Sequence, residues 1–111
     1  MARLFIIGEK VVLAAGGAGE IKLDAPAELP FKGRCIVTHS TGPFEITEIS
    51  DASGTSYMRG TIQGRQLERV NDAGFLTDIL DIAAKDYRLF RIRDTSGTSN
   101  TVYIGILGSV E

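Results

Sequence analysis

The chain is built from short β-type runs that turn residues interrupt at close intervals. Each run is rich in Ile, Val, Leu, Phe or Tyr and is bounded by Gly, Pro, Asp, Asn or Ser. In "EIKLDA" and "YRLFRIR", apolar and polar residues alternate as they do in a strand with one buried face. The pattern predicts a mainly β fold, an antiparallel β-sandwich of jelly-roll-like type, with about eight short strands. These runs lie at 3–7, 10–15, 20–25, 34–39, 44–49, 55–63, 87–93 and 100–107.

The chain is predicted to form a single domain over residues 1–111. Its length of 111 residues is typical of one domain, and no linker or low-complexity stretch divides it. Apolar residues make up 43% of the chain and charged residues 23%, a balance that favours a folded core over disorder.

Residues 70–87, "VNDAGFLTDILDIAAKDY", break the strand pattern. Leu76, Ile79, Leu80 and Ala83 recur there at helical spacing. The segment therefore predicts one short helix near 72–84. A strand through "TDILDIAA" is the alternative, since tertiary context can override such a pattern.

A six-residue motif occurs twice, as "DASGTS" at 51–56 and "DTSGTS" at 94–99. Asp and Ser side chains bond to nearby backbone in turns, and Gly adopts positive φ at little cost. Both copies lie between β-type runs, so both are predicted to be β-hairpin connections. The repeat reflects either convergence on the same turn chemistry or an internal duplication with a period of 43 residues.

No motif in the sequence points to catalysis. The Gly-rich "VVLAAGGAGE" is followed by an alternating run and Pro26 instead of a helix that could meet a phosphate. The one histidine, His39, has no second histidine for a zinc site, and the one cysteine, Cys35, is expected to be a buried, inert thiol. We expect a protein that is not an enzyme and that uses no cofactor or metal.

Net charge and hydropathy limit the classes of partner that we expect for this chain. The net charge is −2, and Lys and Arg are spread along the chain, so we expect no nucleic-acid partner. No apolar run approaches the roughly 20 residues of a membrane span, and the opening is too weakly apolar for a signal peptide. The expected product is made in the cytoplasm and does not bind membranes.

The runs at the two ends of the chain are apolar on both faces. In "NTVYIGILGSVE" and "RLFII", apolar residues occupy both alternating positions. A small domain has little material to cover both faces of such strands, which favours self-association. A homo-oligomer, trimer or larger, is expected, with contacts through Leu4, Phe5, Ile7, Tyr103, Leu107 and Val110.

The sequence resembles small β-sandwich virion proteins of bacteriophages at both ends. Residues 87–111, "YRLFRIRDTSGTSNTVYIGILGSVE", are similar to their ending, a strand, a D/N-T-S-G turn and a last strand with an apolar-Gly run. Residues 10–38 are similar to their opening, with a Gly-rich turn and a Pro-bracketed crossover. The resemblance implies a jelly-roll-like subunit that builds, cements or decorates a virion, works with itself and other virion proteins, and carries no catalytic residues.

A ligand-binding β-sandwich, such as a carbohydrate-binding module, is the alternative. Such modules present aromatic side chains for stacking on sugars. The chain has no Trp and three Tyr, of which Tyr57, near the predicted hairpin tip, is the candidate ligand contact.

Overall fold

The computed structural model describes residues 3–26, 29–64 and 77–110. Strands dominate this part of the chain, which confirms the predicted mainly β sandwich. The elements are β1 (Arg3–Leu13), β2 (Ala18–Asp24), β3 (Phe31–Ser40), β4 (Phe44–Ser50), β5 (Ile62–Gln63), α1 (Thr77–Leu80), β6 (Asp81–Ile82), β7 (Tyr87–Asp94) and β8 (Asn100–Val110).

The strands form two four-stranded antiparallel sheets. The first sheet has the order β1-β8-β3-β6 and the second has the order β2-β7-β4-β5. Strand β1 pairs with β8, β2 with β7, β3 with β6 and β4 with β5, as if one long hairpin had been rolled up. The pairs β3–β8 and β4–β7 complete the sheets. This interleaved order is that of a double-sheet jelly roll.

The core lies between the two sheets, and the alternating strands supply it. In β2, Ile21 and Leu23 are buried while Glu20 and Lys22 are exposed, because successive side chains point to opposite faces. Strand β7 repeats the pattern opposite β2. The other buried apolar side chains of the core are Leu13, Ala25, Phe31, Ile36, Phe44, Ile46, Ile49, Leu80, Ile82, Phe90, Ile92, Val102, Ile104, Ile106 and Val110.

The predicted helix is shorter than expected. Within the described part of the predicted helix, residues 77–84, only Thr77–Leu80 are helical, and Asp81–Ile82 form β6, which pairs with Phe31 and Lys32 of β3. The prediction of helix over 81–84 is therefore wrong, and the strand alternative holds for β6. Residues 72–76 lie outside the described residues. Pairing with β3 buries Ile82 and overrides the local helical spacing.

The two copies of the repeated motif have different roles. The first connects β4 to β5 within the second sheet, with a bridge between Ser50 and Ser56, so the hairpin prediction is confirmed there. The second leads from β7 in the second sheet to β8 in the first. It is a crossover between sheets, and the hairpin prediction for this copy is wrong, because turn chemistry does not decide where the next strand pairs.

Candidate functional site

The outer surface of the first sheet is apolar. Six large apolar side chains are exposed in the described part of the chain, and five of them project from this surface. We call this surface the apolar face. Its members are Leu4 (73% exposed), Ile6 (59%), Val12 (63%), Val37 (41%) and Tyr103 (44%), together with half-buried Leu107 and Cys35.

Strand register brings these side chains together from three strands. Ile6 of β1 lies opposite Leu107 of β8, which lies opposite Cys35 of β3. Two residues further along, the next row is Gly8, Gly105 and Val37, and the row after that is Lys10, Tyr103 and His39. Residues in such rows are near neighbours, so the apolar face is continuous across β1, β8 and β3.

A depression crosses the apolar face at its middle row. Gly8 and Gly105 carry no side chains, and between them they leave a hollow of about 470 Å³. Ile6, Val37 and Tyr103 stand around it. The hollow has mainly apolar walls, so it suits an apolar side chain better than a polar ligand.

Polar groups border one side of the depression. The His39 and Tyr103 rings have centroids 6.2 Å apart and are tilted by 40°. The Nζ atom of Lys10 lies 6.0 Å from the centroid of Tyr103, at the limit of a cation–π contact. These groups supply polar contacts at the margin of an apolar surface, as in protein interfaces.

The outer surface of the second sheet is different in kind. Arg91 lies 3.6 Å from Glu20 and 3.7 Å from Glu48, and Arg93 pairs with Glu45. Lys22 pairs with Asp24 at 3.7 Å and lies over the ring of Tyr87, and only small or polar side chains fill the rest of β2 on this side. The second sheet therefore has a mainly polar outer surface, whereas the outer surface of the first sheet is mainly apolar.

The predicted contact residues are divided between the two sides of the first sheet. Leu4, Tyr103 and Leu107 belong to the apolar face. Phe5 and Ile7 are half-buried and pack against the core from the other side of β1. Val110 is only 3% exposed and belongs to the core of its own chain, so the prediction of an interface contact by its side chain is corrected.

Sequence reasoning missed Ile6, Val12 and Val37. The signal was present in the alternation of β1, where Leu4, Ile6 and Val12 share one side of the strand. It was ambiguous because Phe5, Ile7 and Val11 make the other side equally apolar. Cys35 was expected in the core, but it lies half-buried on the apolar face beside Leu107.

Tyr57 is a fixed part of the loop between β4 and β5. Its hydroxyl donates to Oδ2 of Asp51 at 2.7 Å, and the Arg88 guanidinium lies 4.8 Å from its ring centroid. Hydroxyl donation from Ser53 and then from Tyr57 lowers the pKa of Asp51 from 3.8 to about 2. Burial and the bond to Asp51 raise the pKa of Tyr57. Since Arg88 covers one side of the ring and the core contacts it, Tyr57 is poorly placed to stack on a sugar.

The described residues hold no cluster of three or more His, Cys, Asp or Glu side chains placed to bind a metal ion. No helix in residues 3–26, 29–64 or 77–110 is both long and apolar enough to cross a membrane.

The sequence and the fold were also compared with known proteins. No family model, no curated protein and no solved structure matches this chain.

Proposed function

We propose that the chain is a structural subunit of an assembled particle, of the kind that builds or decorates a phage virion. It joins copies of itself through the apolar face. The observation that carries the proposal is the contrast between the two outer surfaces, one apolar and continuous over three strands, the other polar and ion-paired.

The apolar face has a physical cost in an isolated subunit. Monomeric proteins rarely expose large continuous apolar patches, and such patches mark sites of association. Covering the face stabilises an assembly by about 25 cal/mol for each Å² of apolar surface removed from water. Tyr103 at its centre is of the residue type that is enriched in interfaces.

The strand order supports the virion role by analogy. Double-sheet jelly rolls are used by viral capsid subunits, although lectins and other proteins share the architecture. The resemblance of residues 10–38 and 87–111 to phage virion proteins points in the same direction. The proposed partners are further copies of the chain and other virion proteins, and the proposed location is the virion after synthesis in the host cytoplasm.

Light scattering coupled to size exclusion tests the proposal, with the chain loaded over a wide range of concentrations. Val37→Lys places a charge at the centre of the apolar face, and Thr47→Lys places the same charge on an exposed position of β4 in the second sheet. The unmodified chain and Thr47→Lys are expected to form discrete oligomers that persist on dilution. Val37→Lys is expected to lose the contacts made through the apolar face and to shift toward smaller species.

Electron microscopy of the concentrated chain then tests the particle itself. Rings, shells or regular lattices support the particle role. A chain that remains monomeric at every concentration contradicts association through the apolar face. Oligomers that Val37→Lys and Thr47→Lys weaken equally would place the contact elsewhere.

A further inference from the structure

We propose that β1 pairs edge to edge with β1 of a second copy, antiparallel about a two-fold axis at Ile6. The inference rests on the proposed self-association and adds to it a symmetric edge contact, beside the contacts that cover the apolar face. The partner is a second copy of this chain, and the contact joins the two first sheets into one sheet of eight strands.

Strand β1 is at an edge of the first sheet. Among the described strands, it forms a ladder only with β8, over residues Arg3–Leu13. The backbone groups on its other side offer a template for a further strand, and long apolar edges are prone to such pairing. When two identical strands pair about a two-fold axis, each contact occurs twice.

Charge selects the register. Centring the axis on Ile6 places Arg3 of each copy opposite Glu9 of the other. Within one chain these two side chains stand six residues apart on a strand, roughly 20 Å, so they cannot meet. Neither forms an ion pair with any described residue, and both are exposed. Opposite charges directly across an antiparallel pair stabilise it.

Shape selects the same register independently. In this register Leu4, the most exposed of the large apolar side chains described, lies opposite Gly8 of the second copy. Gly8 borders the depression of about 470 Å³. Leu4 of each copy therefore lies at the depression of the other copy. The two Ile6 side chains lie side by side on the axis.

Other antiparallel registers of β1 with β1 that also keep the apolar face on one side make less favourable contacts. An axis at Ile7 places Leu4 opposite Lys10, and an axis at Gly8 places Ile6 opposite Lys10. An axis at Glu9 or at Lys10 sets like charges directly opposite, which destabilises a strand pair. An axis at Phe5 leaves Arg3 opposite Ile7.

The pairing also accounts for two half-buried residues of β1. Phe5 and Ile7 point toward the core but remain partly exposed at the sheet edge. In the proposed register, Phe5 of each copy lies opposite Ile7 of the other, so each covers the other. The apolar face then runs without a break across both copies.

Cysteine cross-linking tests the register, in a Cys35→Ser background so that only introduced thiols react. Ile6→Cys places two cysteines directly opposite each other on the axis, within the Cα separation that a disulfide requires. Val12→Cys is the control, since it is about as exposed, at 63% against 59%, and in this register the two introduced cysteines lie at opposite ends of the strand pair, roughly 40 Å apart. Mild oxidation is expected to give covalent dimers with Ile6→Cys and monomers with Val12→Cys. A mixture of Leu4→Cys and Gly8→Cys chains is expected to cross-link as a heterodimer.

Charge reversal tests the contact without a covalent bond, by sedimentation equilibrium. Arg3→Glu and Glu9→Arg each create two like-charged pairs, and each is expected to raise the dimer dissociation constant roughly tenfold or more. The double variant restores opposite charges and is expected to recover the original affinity. Gly8→Val fills the hollow and is also expected to weaken the dimer. Its Cβ would lie 3.9 Å from the nearest atom, so the fold accommodates it.

The outcomes separate this inference from the proposed function. Oligomers that form while Ile6→Cys and Val12→Cys cross-link alike, with no rescue in the double charge reversal, overturn the β1 pairing and leave association through the apolar face intact. A chain that is monomeric throughout, with no cross-linking from Ile6→Cys, overturns both.

Discussion

Asn100 donates a hydrogen bond from Nδ2 to Oδ1 of Asp94 at 3.0 Å, and both side chains are buried. The same Nδ2 lies 2.9 Å from the carbonyl oxygen of Gly42 and 3.0 Å from that of Pro43, so its two hydrogens are shared among three acceptors, and Oδ2 of Asp94 accepts from the backbone N–H of Gly16 at 2.8 Å. The pair therefore ties together the β1–β2, β3–β4 and β7–β8 connections at one end of the sandwich. Buried polar groups with all partners satisfied fix a structure in this way.

Asp94→Asn is expected to destabilise the chain more than Asp51→Asn does. Both residues open a copy of the repeated motif and accept the N–H of the serine two positions on. Asp94 is 3% exposed and also accepts from Gly16, whereas Asp51 is partly exposed. The Nδ2 group of an Asn at position 94 would face groups that donate to Asp94. Two donors facing each other destabilise the fold most where the site is buried and water cannot accept in their place.

Urea unfolding of the two variants, at a concentration where the chain is monomeric, measures the difference. Because Asp51 and Asp94 open two copies of the same motif in one protein, each variant serves as the control for the other. Equal midpoints for Asp94→Asn and Asp51→Asn would contradict the structural role of the Asp94–Asn100 pair.

Stability is expected to fall as the pH is lowered from about 5 to about 2. Donation from Ser53 and Tyr57 lowers the pKa of Asp51 to about 2, and donation from Ser96 and Gly16 holds the pKa of Asp94 well below its usual range. Since each folded-state pKa lies below the unfolded value near 3.8, ionised carboxylates stabilise the fold. That stabilisation is complete above the unfolded pKa and is lost as the pH falls through the folded one.

Urea unfolding at a series of pH values checks the slope. Asp51→Asn removes one of these two carboxylates and is expected to reduce the fall in the free energy of unfolding between about pH 5 and pH 2. An unchanged acid limb in Asp51→Asn would show that the carboxylate of Asp51 does not contribute.

Arg88→Met is expected to lower the free energy of unfolding by about 3 kcal/mol. Arg88 is 4% exposed, and its guanidinium donates to the carbonyls of Ile79 and Asp81 and to Asp86. It thus holds α1 and β6 against β7, and its loss leaves buried carbonyls and a carboxylate without their donor. Arg91→Met, also in β7, is the control.

The side chain of Arg91 is 52% exposed and its ion pairs are 3.6 and 3.7 Å long, so its loss is expected to cost about 0.5 kcal/mol. Chemical denaturation of both variants measures the two free energies. Similar losses in Arg88→Met and Arg91→Met would argue against Arg88 as the link between α1, β6 and β7.

Gly108→Ala is expected to destabilise the first sheet by about 3 kcal/mol, the upper end of overpacking costs. A Cβ there would lie 2.2 Å from the carbonyl oxygen of Lys32 and 2.8 Å from Cα of Gly33, which is its partner in the β3–β8 register. Neither backbone atom can move without disturbing the sheet. Ser109→Ala, one residue on and facing the opposite side of β8, is expected to be close to neutral. Thermal unfolding of the pair decides the matter, and a stable Gly108→Ala would mean that β3 and β8 are free to separate there.

Much of the fold could be predicted because strand alternation is a local signal. Ile21 and Leu23 alternate with polar residues, and so do Phe90 and Ile92, so these strands and their buried sides were readable from neighbouring residues alone. The extent of the helix was not predictable, because the residues after Leu80 continue the local helical pattern, whereas Asp81 and Ile82 pair with β3 in the fold.

The candidate site was only partly predictable, for a related reason. Strand β1 is apolar on both sides, so sequence could indicate association but could not decide whether Ile6 or Ile7 faces outward. The position of β2 and the second sheet beneath β1 made that choice and left Ile6 exposed. The sequence did not indicate that Val37 and Gly8 belong to the apolar face, because that face forms only when three strands pair in register.

Local preferences in the sequence specify a mainly β chain with about eight strands and most of its turns, and they place more apolar surface on the two end strands than a small domain can cover. The predicted break between the runs at 3–7 and 10–15 is wrong, because these residues form the single strand β1 (Arg3–Leu13), and of the run at 55–63 only Ile62–Gln63 form a strand. Tertiary structure decided that one motif, "DASGTS" or "DTSGTS", closes a hairpin in one place and crosses between sheets in the other. It also decided which side of β1 is left to solvent. Turn and strand preferences act over a few residues, whereas sheet order and burial depend on segments distant in sequence that meet only in the fold.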